Sequence, residues 1–201
     1  MFKCSAVVAF LLIGCGAVLA DAKRDGALLT GDAAVKACDL AILEDPKYAN
    51  AYNNRGLEYE HKGNSERAIA NYTEAIDKRP EYPSAYYNRG IAYKAKGDLD
   101  RAVADFTKAI EIDPEFALAY YNRGLVYQAK GDFDRSLADY GEAIRLDGAA
   151  LAQNPKDAGS LYGRGMAKLK SGDTVGGRVD IAAAMAIKPD IDKVYAGYGT
   201  M

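Results

Sequence analysis

Apolar residues recur along the chain at helical spacing, in blocks separated by polar turns. Within residues 80–113, Tyr86 and Tyr93 lie seven positions apart, and Phe106 and Ile110 lie four apart in the next block. Residues three, four or seven positions apart share one face of an α-helix. The pattern therefore predicts two amphipathic helices of about 14 residues each.

The polar residues between these blocks are typical of helix ends. Gly97 suits the left-handed conformation that closes a helix, and Asp98 can accept hydrogen bonds from the free amides that open the next one. Pro114 stands where the second helix must stop, because proline disfavours helix in the preceding residue. The same signals recur at Gly63-Asn64, Gly131-Asp132 and Gly172-Asp173. Each unit is therefore predicted to consist of two helices joined by a tight turn, with the second helix ending just before a proline.

The whole unit repeats every 34 residues. Residues 46–79, 80–113 and 114–147 are three close copies, and residues 155–188 form a degenerate fourth. A period of this length predicts a stacked array of helical repeats, with an all-α fold. Arrays need atypical ends, and we expect an N-terminal capping half-repeat at 21–45 and a C-terminal cap at 189–201.

An insertion, residues 148–154, separates the third copy from the fourth. Seven residues are two helical turns less about 20°, so a helix lengthened by roughly 10 Å would present the same face to the next repeat. A bulged loop is the alternative, and Gly148 favours it.

Small residues recur at fixed positions of both helices. Glycine inside a helix costs about 1 kcal/mol relative to alanine, so its recurrence indicates that close packing offsets this cost. We expect backbones to approach at these positions while an aromatic ring fills the adjoining gap. They are Gly56, Gly90, Gly124 and Gly165 on the first helices and Ala75, Ala109, Ala143 and Ala184 on the second.

The copies resemble the tetratricopeptide repeat over roughly residues 32–195. Taken with the N-terminal segment, the chain is similar to bacterial members of this family that are exported. The matching residues of the second copy are Tyr86, Gly90, Tyr93, Ala102, Phe106, Ala109 and Pro114. The resemblance implies a right-handed α-solenoid of helix-turn-helix repeats that acts as a non-catalytic scaffold for a protein or peptide partner. The chain departs from the family where leucine is usual, because Arg55, Arg89, Arg123 and Arg164 stand there.

The resemblance also implies that the first helices line a concave groove. The residues expected to bind a partner there are Asn53, Asn54, Leu57, Tyr87, Asn88, Ile91, Tyr121, Asn122, Leu125 and Tyr162. Asparagines could hold the backbone of an extended peptide, and tyrosines offer large contact area at low entropic cost. In the alternative hypothesis the asparagines bond locally within the array. For Tyr52, Tyr86 and Tyr120 a packing role in the core is expected.

Two hypotheses explain the repeated arginines. Each guanidinium either pairs with an aspartate of a second helix or belongs to a positive row that reads acidic segments. The aspartates in phase are Asp105, Asp139 and Asp180. The basic clamp with which chaperone-binding relatives hold a terminal carboxylate is absent from the matching groove positions, so acidic chaperone tails are not the expected ligand.

Candidate catalytic or metal-binding groups are few. His61 is the only histidine, and a di-metal helical bundle needs two such residues with further carboxylates. We therefore expect no enzyme activity, no metal, no cofactor and no small-molecule substrate. Of three cysteines, Cys38 lies beyond the N-terminal apolar run, at the position of Tyr72 in the next copy, and is expected to be a buried thiol.

Net charge excludes one class of partner, and the N-terminus suggests a location. A formal charge of −2 over 201 residues gives no field that would attract nucleic acid. Lys3 precedes an uncharged run at 4–20, which predicts a signal peptide and export to the periplasm or cell envelope. The predicted cleavage point follows Ala20, with Ala22 as the alternative. Two alternatives remain: lipid modification at Cys15, and an uncleaved membrane anchor. A structural role through self-association also stays open.

Overall fold

The computed structural model of the chain describes residues 31–196, which form helices joined by short turns. The predicted signal peptide at 1–20, with Cys15 and the cleavage site, lies outside the described residues, as do residues 197–201 of the predicted cap. Within residues 31–196, no helix combines the length and the apolar character needed to cross a membrane.

The described part of the chain divides into two compact units, one ending at Pro80 and the other beginning at Glu81. The first unit contains three described helices, with α2 packed against both of the others. They are α1 (Asp32–Glu44), α2 (Ala49–His61) and α3 (Ser65–Lys78). In sequence, α1 corresponds to the second helix of a repeat, since Cys38 holds the position of Tyr72. Residues 21–30 of the predicted capping half-repeat lie outside the described residues.

The second unit contains the other described helices, and each packs against the next from α4 to α10. The first helices of successive repeats also touch, because α6 contacts both α4 and α8. The helices are α4 (Pro83–Ala95), α5 (Leu99–Ile112), α6 (Ala117–Ala129), α7 (Phe133–Gln153), α8 (Ala158–Ser171), α9 (Thr174–Ile187) and α10 (Ile191–Ala196). Within residues 31–196 the fold is all-α, as predicted.

The turns inside the repeats have the chemistry that the sequence indicates. Gly97 and Gly131 have φ angles of 79° and 80°, a left-handed conformation that side chains disfavour. The carboxylates of Asp98 and Asp132 then accept hydrogen bonds from the backbone amides three residues later, at 3.1 and 3.2 Å. These contacts cap α5 and α7, so each turn ends one helix and starts the next.

Close packing at the repeated glycines holds each pair of helices together. A Cβ atom added at Gly90 would lie 2.8 Å from the ring of Phe106, and one at Gly124 would lie 2.8 Å from the ring of Tyr140. Both rings are almost fully buried. The aromatic side chain of the second helix therefore fills the space that glycine leaves on the first, as predicted.

The insertion lengthens α7 without interrupting it. This helix has 21 residues, whereas α5 at the same place in the preceding copy has 14. Gly148 lies inside the helix, so the continuous-helix alternative is the one observed and the bulged loop is not. Leu151, within the added turns, belongs to a core cluster with Leu161 and Ile191.

Candidate functional site

The predicted partner-binding residues lie on the first helices, but most of them are buried within the chain. Seven of the ten are buried, two are half-buried and one is exposed. The buried set is Asn53, Tyr87, Asn88, Ile91, Tyr121, Asn122 and Tyr162. Leu57 and Leu125 are half-buried, and Asn54 is exposed. The structure thus places these side chains in the packing between helices more than on an open surface.

Tyr87 and Asn122 form a closed polar network between α4 and α6. The Asn122 amide nitrogen donates to the Tyr87 hydroxyl at 3.0 Å and to the Leu118 carbonyl at 3.2 Å. The Asn122 side-chain oxygen accepts from Lys94 at 2.9 Å. Asn122 has no exposed surface, so its amide bonds locally, in agreement with the second of the two hypotheses for the asparagines.

The ring of Tyr87 is part of the core. Its centroid lies 4.9 Å from that of Phe116 and 5.7 Å from that of Phe106. Tyr86 is only half-buried, and the guanidinium of Arg89 stands 5.7 Å from its ring. Tyr86 still packs against the same core cluster, but Tyr87 is the more deeply packed ring. The expectation that Tyr87 faces a groove is therefore wrong for this copy.

The next junction, between α6 and α8, lacks the polar network. Tyr121 is the counterpart of Tyr87 and is 3 % exposed, with its ring 5.7 Å from that of Tyr140. In the part of the chain that the structure describes, its buried hydroxyl has no hydrogen-bond partner. Gly163 stands where Asn122 stands one copy earlier, so the donor is missing. Burial raises the pKa of Tyr121 well above its ordinary value and keeps the phenol neutral.

Half-buried apolar side chains flank Tyr121 on α6. Leu118 and Leu125 lie three positions before and four positions after it, so all three share one helix face. Leu118 packs against two core clusters, and Leu125 packs beside Met166 of α8 against the cluster that contains Tyr121. Leu118, which sequence reasoning did not single out, is recognisable from this spacing alone.

In the first unit the polar residues of α2 interact with each other. The Asn53 amide donates to the Asn54 side-chain oxygen at 3.4 Å, and Asn53 is buried. Asn54 is exposed, and Leu57 is half-buried one turn later. Of the four asparagines predicted to bind a partner, Asn54 is the one whose side chain is exposed.

The repeated arginines pair with second-helix aspartates. Arg89 donates two hydrogen bonds of 2.8 Å to Asp105, and Arg123 donates at 2.9 and 2.8 Å to Asp139. Burial by itself would lower the pKa of each arginine, but the hydrogen bonds and charge of the aspartate outweigh it and raise the pKa.

The other two arginines show how far the pairing extends. Arg164 repeats the two-bond contact with Asp180, at 2.7 Å each. Arg55 instead donates to the Asn71 side chain and to Asp39 of α1, both at 2.6 Å. The structural hypothesis for the arginines is thus confirmed for three pairs, and in the first copy a neutral residue takes the place of the aspartate.

The reactive residues are dispersed. His61 is exposed at the end of α2, and Cys38 is half-buried on α1. Burial raises the pKa of the Cys38 thiol to about 11, so the thiol is protonated at neutral pH. Within residues 31–196, no group of three or more histidine, cysteine or acidic side chains is arranged to hold a metal ion.

Comparison with known families agrees with this geometry. Family models described as TPR repeat match residues 56–97 and 92–131, and others described as tetratricopeptide repeat match residues 117–148 and 37–70. Together they extend over residues 37–148, which is more than half of the chain. The chain belongs to the tetratricopeptide repeat family. No curated protein sequence matches it.

Several solved structures share the fold, among them proteins described as tetratricopeptide repeat (TPR) proteins. TTC0263, a thermophilic TPR protein of Thermus thermophilus, has a TM-score of 0.61 at 22 % identity, over 84 % of this chain and 89 % of that one. The crystal structure of MamA has a TM-score of 0.56 at 21 % sequence identity, over 86 % of this chain and 95 % of that one. The first TPR of Spaghetti (RPAP3), bound to the HSP90 peptide SRMEEVD, has a TM-score of 0.53 at 22 % sequence identity. The match covers 71 % of this chain and 96 % of that one.

Proposed function

We propose that this TPR protein is a non-catalytic scaffold that holds an extended peptide or a partner protein. In the second unit, the partner lies against the face of α6 and α8 that carries Leu125 and Met166. Proteins of the family are generally non-catalytic scaffolds. The similar TPR of Spaghetti (RPAP3) is bound to a peptide, which supports the same class of ligand here.

The observation that carries this proposal is the change between two successive junctions. Between α4 and α6, the Asn122 amide donates a hydrogen bond to the Tyr87 hydroxyl, so neither buried group lacks a partner. Between α6 and α8, the Tyr121 hydroxyl is buried without a partner in the described structure, beside the half-buried Leu125. A hydroxyl without a partner weakens the packing between α6 and α8. The half-buried Leu125 and Met166, which pack against the same cluster as Tyr121, are the apolar side chains that a bound chain can reach there.

The ligand differs from the acidic peptide held by Spaghetti (RPAP3). The clamp positions carry Asn53, Leu57, Tyr87 and Ile91, none of which is basic. Lys94 is close by on α4, but its ammonium group already donates to Asn122. We therefore expect the peptide SRMEEVD to bind this chain no more tightly than a scrambled peptide, as measured by isothermal titration calorimetry.

The test is site-specific photo-crosslinking in cells that express the protein. A photo-reactive amino acid at Leu125 is expected to give protein adducts. The matched control places the same residue at Leu137, which is about half exposed on α7. Adducts of equal amount and identity at both positions would contradict the proposal. Substitutions of Tyr87 or Asn122 are unsuitable for this purpose, because both side chains are structural.

We propose in addition that the protein works in the periplasm or cell envelope, on the basis of the apolar run at 4–20 and the charges that follow it. Mass spectrometry of the purified protein distinguishes the alternatives. A mature terminus at Asp21 supports cleavage by a signal peptidase, and a lipid on Cys15 identifies an anchored assembly factor. An intact N-terminus in purified envelope fractions would contradict both.

Self-association is a second candidate function. Leu43 of α1 is 76 % exposed and Leu40 on the same helix is 45 % exposed, although the three close copies have charged residues at these positions. Large exposed apolar side chains that lie together often belong to an interface. Sedimentation that shows only monomer at high protein concentration would exclude this function.

A further inference from the structure

The seven residues that lengthen α7 change the surroundings of one carboxylate. Asp113 and Asp147 hold the same position in consecutive copies. Asp113 directly follows α5, and its carboxylate accepts a hydrogen bond from the Glu115 amide at 3.1 Å. Asp147 instead lies inside α7, because the helix continues to Gln153. The insertion thus converts a helix-end residue into one that faces the next helix.

Asp147 packs directly against α8 at Gly163. A Cβ atom at Gly163 would lie 2.7 Å from the Oδ2 atom of Asp147, which is too close for any real contact. The second and third copies have Asn88 and Asn122 at this position. Glycine therefore makes room for the carboxylate, and the two residues form a matched contact at the α7–α8 junction.

The carboxylate of Asp147 lacks a hydrogen-bond donor among the described residues, and the charges around it do not replace one. Arg164 of α8 attracts it, but that guanidinium already makes two 2.7 Å hydrogen bonds to Asp180 of α9. Asp157, at the start of α8, repels it and is itself engaged with the Ser160 amide at 2.8 Å.

A cavity of about 480 Å³ adjoins this contact, between the start of α6, the added turns of α7 and the start of α8. Its charged lining residues are Glu115, Arg145, Asp147 and Asp157. Arg145 pairs with Glu142 at 2.8 Å on the outer side of α7. Burial raises the pKa of Asp147 to about 7, with Asp157 acting in the same direction and Arg164 against it.

We propose that the α7–α8 junction is a proton-controlled joint, in which the neutral Asp147 side chain packs against Gly163 and the ionised side chain loosens that packing. Asp147 is half-buried, and a carboxylate that is partly removed from water without a hydrogen-bond donor is disfavoured relative to the neutral acid. Ionisation draws the group towards the water of the adjoining cavity. Because its pKa in the fold lies above the ordinary value of 3.8, the junction loses stability as pH rises from about 4 to about 7.

The test compares wild-type protein with Asp147→Asn, which has the same shape but stays neutral. Hydrogen exchange of α8 amides, corrected for the intrinsic rate, gives the opening equilibrium of the junction at pH 5.5 and pH 8. We expect the wild-type opening constant to rise at least about tenfold more than that of the variant. Asp113→Asn is the matched control and is expected to follow the wild type.

A second measurement addresses the group itself. The carboxyl carbon of Asp147, followed by NMR, is expected to titrate near neutral pH. Gly163→Ala would push the carboxylate towards water and shift this midpoint down towards 4. The proposal is overturned if wild type and Asp147→Asn open with the same pH dependence, if Asp113→Asn behaves like Asp147→Asn, or if the carboxyl of the wild type titrates near 4.

Discussion

Removal of one arginine tests what the buried pairs contribute to stability. Arg123→Met keeps most of the apolar stem and deletes the guanidinium, which makes two hydrogen bonds to Asp139 and a third, of 3.1 Å, to Thr107. Asp139 is only 5 % exposed, so the variant leaves a buried carboxylate without its counter-charge. Loss of one partner of such a pair costs about 3–5 kcal/mol. We expect a loss of this size in the free energy of unfolding.

Arg55 provides an internal comparison for this magnitude. Its partners are the neutral Asn71 and the half-exposed Asp39. Arg55→Met therefore leaves an unpaired amide oxygen and a carboxylate that water can reach. The expected loss is about 1–2 kcal/mol, which is the usual cost of an unmet buried hydrogen-bonding group.

Urea denaturation followed by circular dichroism at 222 nm measures these differences, since the chain has no tryptophan to report by fluorescence. Repeat arrays can unfold in parts, so hydrogen exchange of α6 and α7 accompanies it. The double variant Arg123→Met/Asp139→Leu is expected to recover to within about 1 kcal/mol of the wild type. A loss under 1 kcal/mol for Arg123→Met, or an equal loss for Arg55→Met, would refute the reasoning.

Three further changes test the packing of the helices and their caps. Gly124→Ala places a Cβ atom 2.8 Å from the Tyr140 ring and is expected to cost about 1–3 kcal/mol in thermal unfolding. Gly141→Ala, which has no atom within 4 Å, is expected to stabilise α7 by up to about 1 kcal/mol. Asp132→Ala removes the cap of α7 and is expected to lower the melting temperature at pH 7. The hydrogen bonds of Asp132 to Arg135 lower its pKa, so this difference should shrink as pH falls below 4.

The sequence predicts the helices and their ends well because these depend on local chemistry. Gly97 and Asp98 specify the turn through backbone conformation and side-chain capping, with no need of a distant partner. The repeat period then identifies which residues are equivalent. It places Gly90 against Phe106 through a contact that recurs in the other copies.

The burial of individual aromatic side chains could not be predicted in the same way. Tyr86 and Tyr87 are adjacent on α4, and helical spacing allows either to face the core. The choice depends on Phe116 and Asn122, which come from the next repeat and surround Tyr87. Such contacts depend on how successive repeats stack, and the period does not contain that information.

The contact between Asp147 and Gly163 was missed for a related reason. A seven-residue insertion preserves the helix face almost unchanged, but it also moves the end of the helix. A residue that caps one copy then becomes an interior residue in the next. The signal was present as the exchange of asparagine for glycine at position 163, whose meaning depends on the neighbour across the junction.

Successive junctions of one array therefore differ in what they leave unsatisfied, although their repeats are close copies. At the α4–α6 junction, Asn122 satisfies the Tyr87 hydroxyl and is itself held by Lys94. Towards α8, a single exchange of asparagine for glycine removes the donor from Tyr121 and admits the carboxylate of Asp147. A buried polar group without a partner weakens the packing between the helices that enclose it. The half-buried Leu125 and Met166 pack against the same cluster as Tyr121 and offer a partner an apolar surface. We therefore expect partner selectivity to depend on the α6–α8 face, and substitutions between α4 and α6 to affect mainly stability.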